Sequence, residues 1–199
     1  NGRDLTTTPA AERAAHLAWL PQRPMLSEPI PVVEWVASAR YRFSERTSLQ
    51  LQKSRLILEE LGLAPLADRN WNDLSGGEAQ RVALASMVAQ ESSLWLMDEP
   101  ANHLDPAVQK SIYRFLISEW IQGVGMLLIT HNLNLLFSIL TPEQQQQVQI
   151  FGLKEGRIVC SHLLHEEELL SSLEMLYGLS VQKITVFDLA KEGLSDDAI

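Results

Sequence analysis

The stretch SLWLMDEPANHLDP, residues 93–106, decides how the chain is read. Leu94 to Met97 form an uninterrupted apolar run that stops at two acids, Asp98 and Glu99. A strand buried on both faces of a parallel sheet reads this way, continuous rather than alternating. Asp105-Pro106 then opens a helix, because Asp is a favoured cap and Pro suits the first helical position. Val108, Ile112, Phe115 and Leu116 follow as one apolar helical stripe. GMLLITH (125–131) repeats the strand pattern and ends on His131, and NLNLLFSIL (132–140) repeats the helix. Strand, helix, strand, helix implies right-handed crossovers and a parallel sheet, hence an α/β fold.

Upstream, Thr8-Pro9 before AAERAAHL predicts a short capped helix with Pro at its first position. LAWLP (17–21) predicts a buried strand, and the Pro-punctuated QRPMLSEPIP (22–31) an exposed, turn-rich segment. Helices are expected through VVEWVASAR (32–40) and from about Ser48 to Leu61, with Gly62 as a C-terminal stop. NDLSGGEAQRVALA (72–85) starts a further helix through about Gln90, apolar on nearly every side and so buried. Past QVQIFG (147–152), the turn KEG (154–156) predicts an antiparallel hairpin at the sheet's edge. The tail adds a helix within HEEELLSSLEMLYG and a strand at VQKITVF (181–187).

Composition narrows the possibilities. The 199 residues are 46% hydrophobic and 21% charged, the profile of one globular domain or two closely joined lobes. A net charge of −9 argues against a nucleic-acid partner, which calls for a basic face. The single cysteine, Cys160, makes no internal disulfide and reads as a small buried apolar residue in a reducing compartment. No run approaches the ~18 apolar residues of a membrane helix, and the N-terminus has no signal-peptide pattern. The opening NGRDLTTTPAAERAAH reads like the interior of a longer chain.

Four constellations carry chemistry. Ser75 and Glu78 form an S-x-x-E capping box; a cap alone would explain them, but Gly76 and Gly77 let an anion approach the helix amides. Asp98, at the carboxyl end of its strand, lies where ligands bind in open α/β sheets and suits Mg²⁺ held through water. Glu99 is placed to act as general base. His131 ends the next strand at the same edge, where contact with a phosphate or an attacking water is expected. The fourth constellation is Asn102-His103-Leu104-Asp105, in which Asp105 also caps the following helix.

LSGGE (74–78), LWLMDEP (94–100), NHLD (102–105) and the ITH ending at His131 resemble, in order, the signature motif, Walker B, D-loop and switch histidine of the ATP-binding-cassette (ABC) ATPases. Pro21-Gln22 after an apolar run is similar to the Q-loop, and the resemblance covers roughly residues 1–160. It implies a P-loop NTPase fold with ATP and Mg²⁺ as cofactors. Asp98 and Gln22 would hold Mg²⁺, Gln22 would also touch the attacking water, and Glu99 would be the catalytic base. His131 would contact the γ-phosphate. Ser75, Gly76, Gly77 and Glu78 would bind nucleotide held by the other subunit of a homodimer, with Asp105 across the same interface. Glu78 stands where Gln is commoner.

One departure is large. The 199 residues contain no G-x-x-x-x-G-K-[ST], and none of the five lysines directly follows a glycine. The phosphate-cradling loop is therefore expected in a longer subunit, and these residues alone are expected to be inactive. The expected layout is a partial RecA-like lobe (1–22 and 91–160), a helical lobe (23–90) and a tail (161–199). GRIVCSH followed by EEELLSSLEMLYGLSVQKI is similar to the ending of importer ATPases for iron chelates, haem or vitamin B12. That likeness implies transmembrane permease partners, no nucleic acid, and a place on the cytoplasmic face of the membrane. Met25, Leu26, Ile30, Val32, Val33 and Trp35 would then include a permease-facing groove, with at least half of them filling the lobe's own core. The alternatives are a non-transport ABC protein of the ribosome-associated type, which calls for tandem cassettes, and a non-catalytic docking module, which Glu99 and His131 speak against.

Overall fold

The computed structural model of the protein describes residues 4–22, 24 and 29–177. It divides into two compact units, Asn1–Asn132 and Leu133–Ile199.

In the first unit, α1 (Ala10–His16) leads into β1 (Leu17–Leu20). Pro9 precedes the first helical residue instead of occupying it, and the Thr8 hydroxyl donates to the Asp4 carbonyl instead of capping α1. Two helices follow, α2 (Val32–Ser38) and α3 (Thr47–Glu60), then α4 (Gly76–Gln90), β2 (Leu94–Asp98), α5 (Pro106–Ile121) and β3 (Gly125–Ile129). The strands form a parallel sheet in the order β1-β2-β3, with Trp19, Leu96 and Leu127 in one register row and Leu20, Met97 and Leu128 in the next. Chain crossovers therefore bring the carboxyl ends of all three strands to one edge.

The two faces of this sheet differ. Ala18, Leu20, Trp95 and Met97 point to one face and are buried. The alternate residues share the other face, where Trp19 is 67% exposed, Leu127 55% and Ile129 58%. The expectation of burial on both faces holds for one face only. An apolar run reports what a strand is suited to bury, not which elements cover it.

Helix α4 is held at both ends. Ser75 and Glu78 close the expected capping box, Ser75 accepting from the Glu78 amide and Glu78 from the Ser75 amide. At its other end Glu91 turns left-handed (φ 52°). There Arg40 donates to the Ala89 carbonyl (2.9 Å) and Arg42 to those of Gln90 and Glu91 (2.9 and 3.0 Å). Cations at a helix C-terminus satisfy its last carbonyls and oppose its dipole. Arg40 is itself buried, paired with Glu45 (2.9 Å) and Glu91 (2.7 Å). Val32 and Val33 are core residues, and Trp35 packs against Trp71 with ring centroids 5.1 Å apart. Met25 and Leu26, the centre of the expected groove, lie outside the described residues.

The second unit holds α6 (Leu133–Ile139), the short α7 (Pro142–Gln145), the hairpin β4 (Gln149–Lys154) and β5 (Arg157–Leu163), and α8 (Glu168–Tyr177). Glu155 (φ 51°) and Gly156 (φ 74°) make the hairpin turn, both in the left-handed region that two-residue hairpin loops require. The hairpin forms a two-stranded sheet of its own, not an edge of the parallel sheet. Cys160 is half-buried rather than buried. The strand expected at 181–187 lies outside the described residues.

Candidate functional site

The site grows from the end of β2. Asp98 is the last residue of the strand, in register with Ile129 and half-buried. At Glu99 the chain turns left-handed (φ 48°), yet its amide still donates to the Ile129 carbonyl (2.9 Å). A non-glycine residue in this region is uncommon and persists only where its surroundings fix it. Here the surroundings are the neighbouring strand and three side chains.

Those side chains converge on one carboxylate. Gln22, just past β1, donates through Nε2 to Glu99 Oε2 (2.6 Å). His131, just past β3, places Nδ1 2.9 Å from Glu99 Oε1. Asn102 donates through Nδ2 to Glu99 Oε2. The His131 contact, with help from Gln22 and Asn102, holds the Glu99 carboxyl below the ordinary glutamate range against the opposing effect of burial. Glu99 is thus kept ionised, with its side chain 20% exposed and the His131 ring 63% exposed. A shielded carboxylate beside an accessible imidazole is an arrangement that can accept a proton from water and orient an anion.

Gln22, Glu99 and His131, far apart in sequence, are therefore brought together, with Asp98 adjacent. Ser75 to Glu78 and Asp105 stand at two helix starts instead. Ser75 and Gly76 are exposed, and a Cβ built on Gly76 would meet nothing within 4 Å, so its backbone is open to approach. A Cβ on Gly77 would lie 3.5 Å from Leu104 Cδ2, which packs the 102–105 segment beside the glycines. Glu78 Oε2 accepts from both the amide and the hydroxyl of Ser75 (2.8 and 2.7 Å), and these bonds hold its carboxyl below the ordinary range. Asp105 Oδ1 accepts from the amides of Ala107 and Val108 (3.1 Å each), the cap expected of it.

Residues 1–102 match the family described as ABC transporter. The chain belongs to this family. It is 30% identical to the vitamin B12 import ATP-binding protein BtuD of Citrobacter koseri over 193 residues, 94% of this chain and 73% of that protein. It is 36% identical to the hemin import ATP-binding protein HmuV of Bordetella pertussis over 143 residues, 66% of this chain and 54% of that one. It thus spans about half the length of several relatives. Among solved structures, a metal-chelate type ABC transporter in an inward-facing conformation superimposes with a TM-score of 0.71 at 25% identity, over 83% of this chain and 64% of that chain. A nucleotide-free ATP-binding cassette gives 0.70 at 20% identity, covering 91% and 75%. The fold is the P-loop NTPase fold of ABC ATPases. No helix of the described residues is long and apolar enough to cross a membrane.

Some residues at the site were not singled out from the sequence as partners of Glu99. Asn102 is one, read only as part of NHLD. Thr130, Tyr113 and Gln109 stand nearby and were not singled out either. With Glu99, Asn102, His131 and Asn132 they line a cavity of about 20 Å³, the size of one water molecule.

Proposed function

We propose that this chain is the greater part of the ATP-hydrolysing subunit of an ABC importer, working as a head-to-tail homodimer. The observation that carries the reading is the Glu99 carboxylate gripped by Gln22, Asn102 and His131 at the carboxyl ends of adjacent parallel strands. Ligands bind at that edge in open α/β sheets. Glu99 is the general base and His131 steadies the γ-phosphate. Ser75, Gly76 and Gly77 bind nucleotide held by the partner subunit, where the glycine amides and the helix dipole favour an anion. Asp105 faces the same dimer interface.

The oxygen donors here suit Mg²⁺, which prefers a few carboxylate or carbonyl oxygens with water and substrate phosphates. Asp98 would hold it with Gln22, whose Nε2 meets Glu99 and whose carbonyl is the end offered to a cation. Bound there, the ion would neutralise charge on the transferring phosphoryl group.

The cargo we propose is an iron chelate, haem or cobalamin, passed by transmembrane permease subunits at the cytoplasmic face of the membrane. The tail pattern and the names of the relatives support this. These 199 residues hold no G-x-x-x-x-G-K-[ST] phosphate loop. The 199-residue chain alone is then expected to bind Mg-ATP no more tightly than about millimolar, and micromolar affinity in titration calorimetry would overturn that part. For the subunit carrying its phosphate loop, Glu99→Gln is expected to cut ATP hydrolysis by about 10²–10⁴-fold while nucleotide still binds. Unchanged hydrolysis would remove Glu99 from the mechanism.

A further inference from the structure

We infer that Tyr113 and Gln109 of α5 are positioning residues that fix the turn presenting His131. This rests on the reading of Glu99 and His131 as the reacting pair.

His131 is exposed, on a turn just beyond β3, so besides its contact with Glu99 its imidazole gains orientation from what anchors its neighbours. Both neighbours are anchored to the same helix. Thr130 Oγ1 accepts from the Asn132 amide (3.1 Å), closing the turn around His131, and the same hydroxyl meets the Tyr113 hydroxyl at 2.8 Å. On the other side of His131, Asn132 Nδ2 donates to Gln109 Oε1 (3.3 Å). Gln109 and Tyr113 are four residues apart, so one helical face holds both anchors. Tyr113 is 3% exposed, and burial keeps its phenol protonated. The start of α5 is set by the Asp105 cap, three residues after Asn102, which grips Glu99. Helix α5 therefore carries the fixed points of the His131 turn, the segment leading into it carries the Asn102 grip on Glu99, and the 20 Å³ cavity is lined by both.

A buried tyrosine needs a partner for its hydroxyl in any case, and Thr130 would supply one in a purely structural role. The two roles differ in what they move. Tyr113→Phe keeps the ring and removes the hydroxyl. If Tyr113 positions His131, kcat of the subunit carrying its phosphate loop falls about fivefold, the worth of one neutral hydrogen bond, while KM for ATP stays within about twofold. Thr130→Val should behave alike, and Thr130→Ser, which keeps the hydroxyl, should restore most of the rate. In the 199-residue chain, the His131 imidazole ¹⁵N signals, assigned by loss in His131→Gln, should shift or broaden in Tyr113→Phe while those of His162 do not. A lower melting temperature with kcat and the His131 signals unchanged would overturn the inference. Failure of the functional reading looks different: Glu99→Gln would then leave hydrolysis intact, and the imidazole signals would still decide whether Tyr113 orders His131.

Discussion

His131 Nδ1 lies 2.9 Å from Glu99 Oε1, joining the ends of two strands that neighbour each other in the sheet but stand 32 positions apart in sequence. The contact holds the Glu99 carboxyl in its charged form while the His131 ring stays open to solvent. A general base must be ionised to work, so this pairing keeps it competent in mildly acidic conditions.

The pH dependence follows directly. The folded-state pKa of Glu99 is lowered, with the His131 contact as the main cause, so its carboxylate survives as pH falls through the ordinary glutamate value of 4.5. ATP hydrolysis by the subunit carrying its phosphate loop should show an acid limb below that value. His131→Ala removes the main stabilising contact and should move the acid limb upward, besides lowering the plateau. A pH–rate profile whose acid limb is unmoved by His131→Ala would contradict this account.

The fold and the centre of the site were legible because apolar runs ending in acids or His report strands and their carboxyl edge. That pattern placed Glu99 and His131 at one edge, and Gln22 joined them through the resemblance to the Q-loop. Asn102 could not be placed with them, because its grip on Glu99 depends on the left-handed turn at Glu99, and nothing in DEP marks that. Tyr113 was invisible for another reason: its partner Thr130 comes from packing between a helix and a strand. The open sheet face around Trp19 and Ile129 was unreadable in principle, since burial depends on what else is present. Helix α7 was readable and missed, for Thr141 and Gln144 form a capping box that the run of glutamines obscured.

Glu78 offers a test at the signature helix. Its carboxylate takes both the amide and the hydroxyl of Ser75, the groups proposed to meet a partner's nucleotide. Glutamine also serves at the third position of a capping box. Glu78→Gln should therefore leave the melting temperature nearly unchanged while removing a negative charge beside the proposed anion site, and ATP-dependent dimerisation of the subunit carrying its phosphate loop should tighten a few-fold. Glu78→Ala should lower the melting temperature by opening the box. Sedimentation with and without ATP, with thermal melts in parallel, separates the two effects.

Glu45 should govern part of the acid stability. Arg40 first and Lys53 second lower its pKa from 4.5 to about 2, and through Arg40 it supports the C-terminus of α4. Because the folded value is depressed, the stability it contributes is fully present above about pH 4.5 and is lost as pH falls towards 2. Glu45→Gln should be destabilising at pH 7 by thermal melting, and the gap to the unmodified chain should close as pH approaches 2. A gap that persists at low pH would point to packing instead of charge.

In the second unit, Gly152 is fixed by what stands opposite. It pairs with Cys160 across the hairpin at a register shift between Gly152 and Leu153. A Cβ built there would collide with Cys160 Sγ and lie 3.0 Å from Leu176 Cδ2, with Cys160 Cβ at 3.8 Å. The φ of Gly152 is not in the left-handed region, so space and not backbone freedom is the constraint. Gly152→Ala should cost about 1–3 kcal/mol through overpacking. Cys160→Ala removes the sulfur that causes the closest contact, so the double variant should recover part of the loss, leaving the Leu176 contact to be accommodated by side-chain rotation. A double-mutant cycle by urea denaturation reads the coupling, and strictly additive effects would mean that Gly152 and Cys160 do not face each other as described.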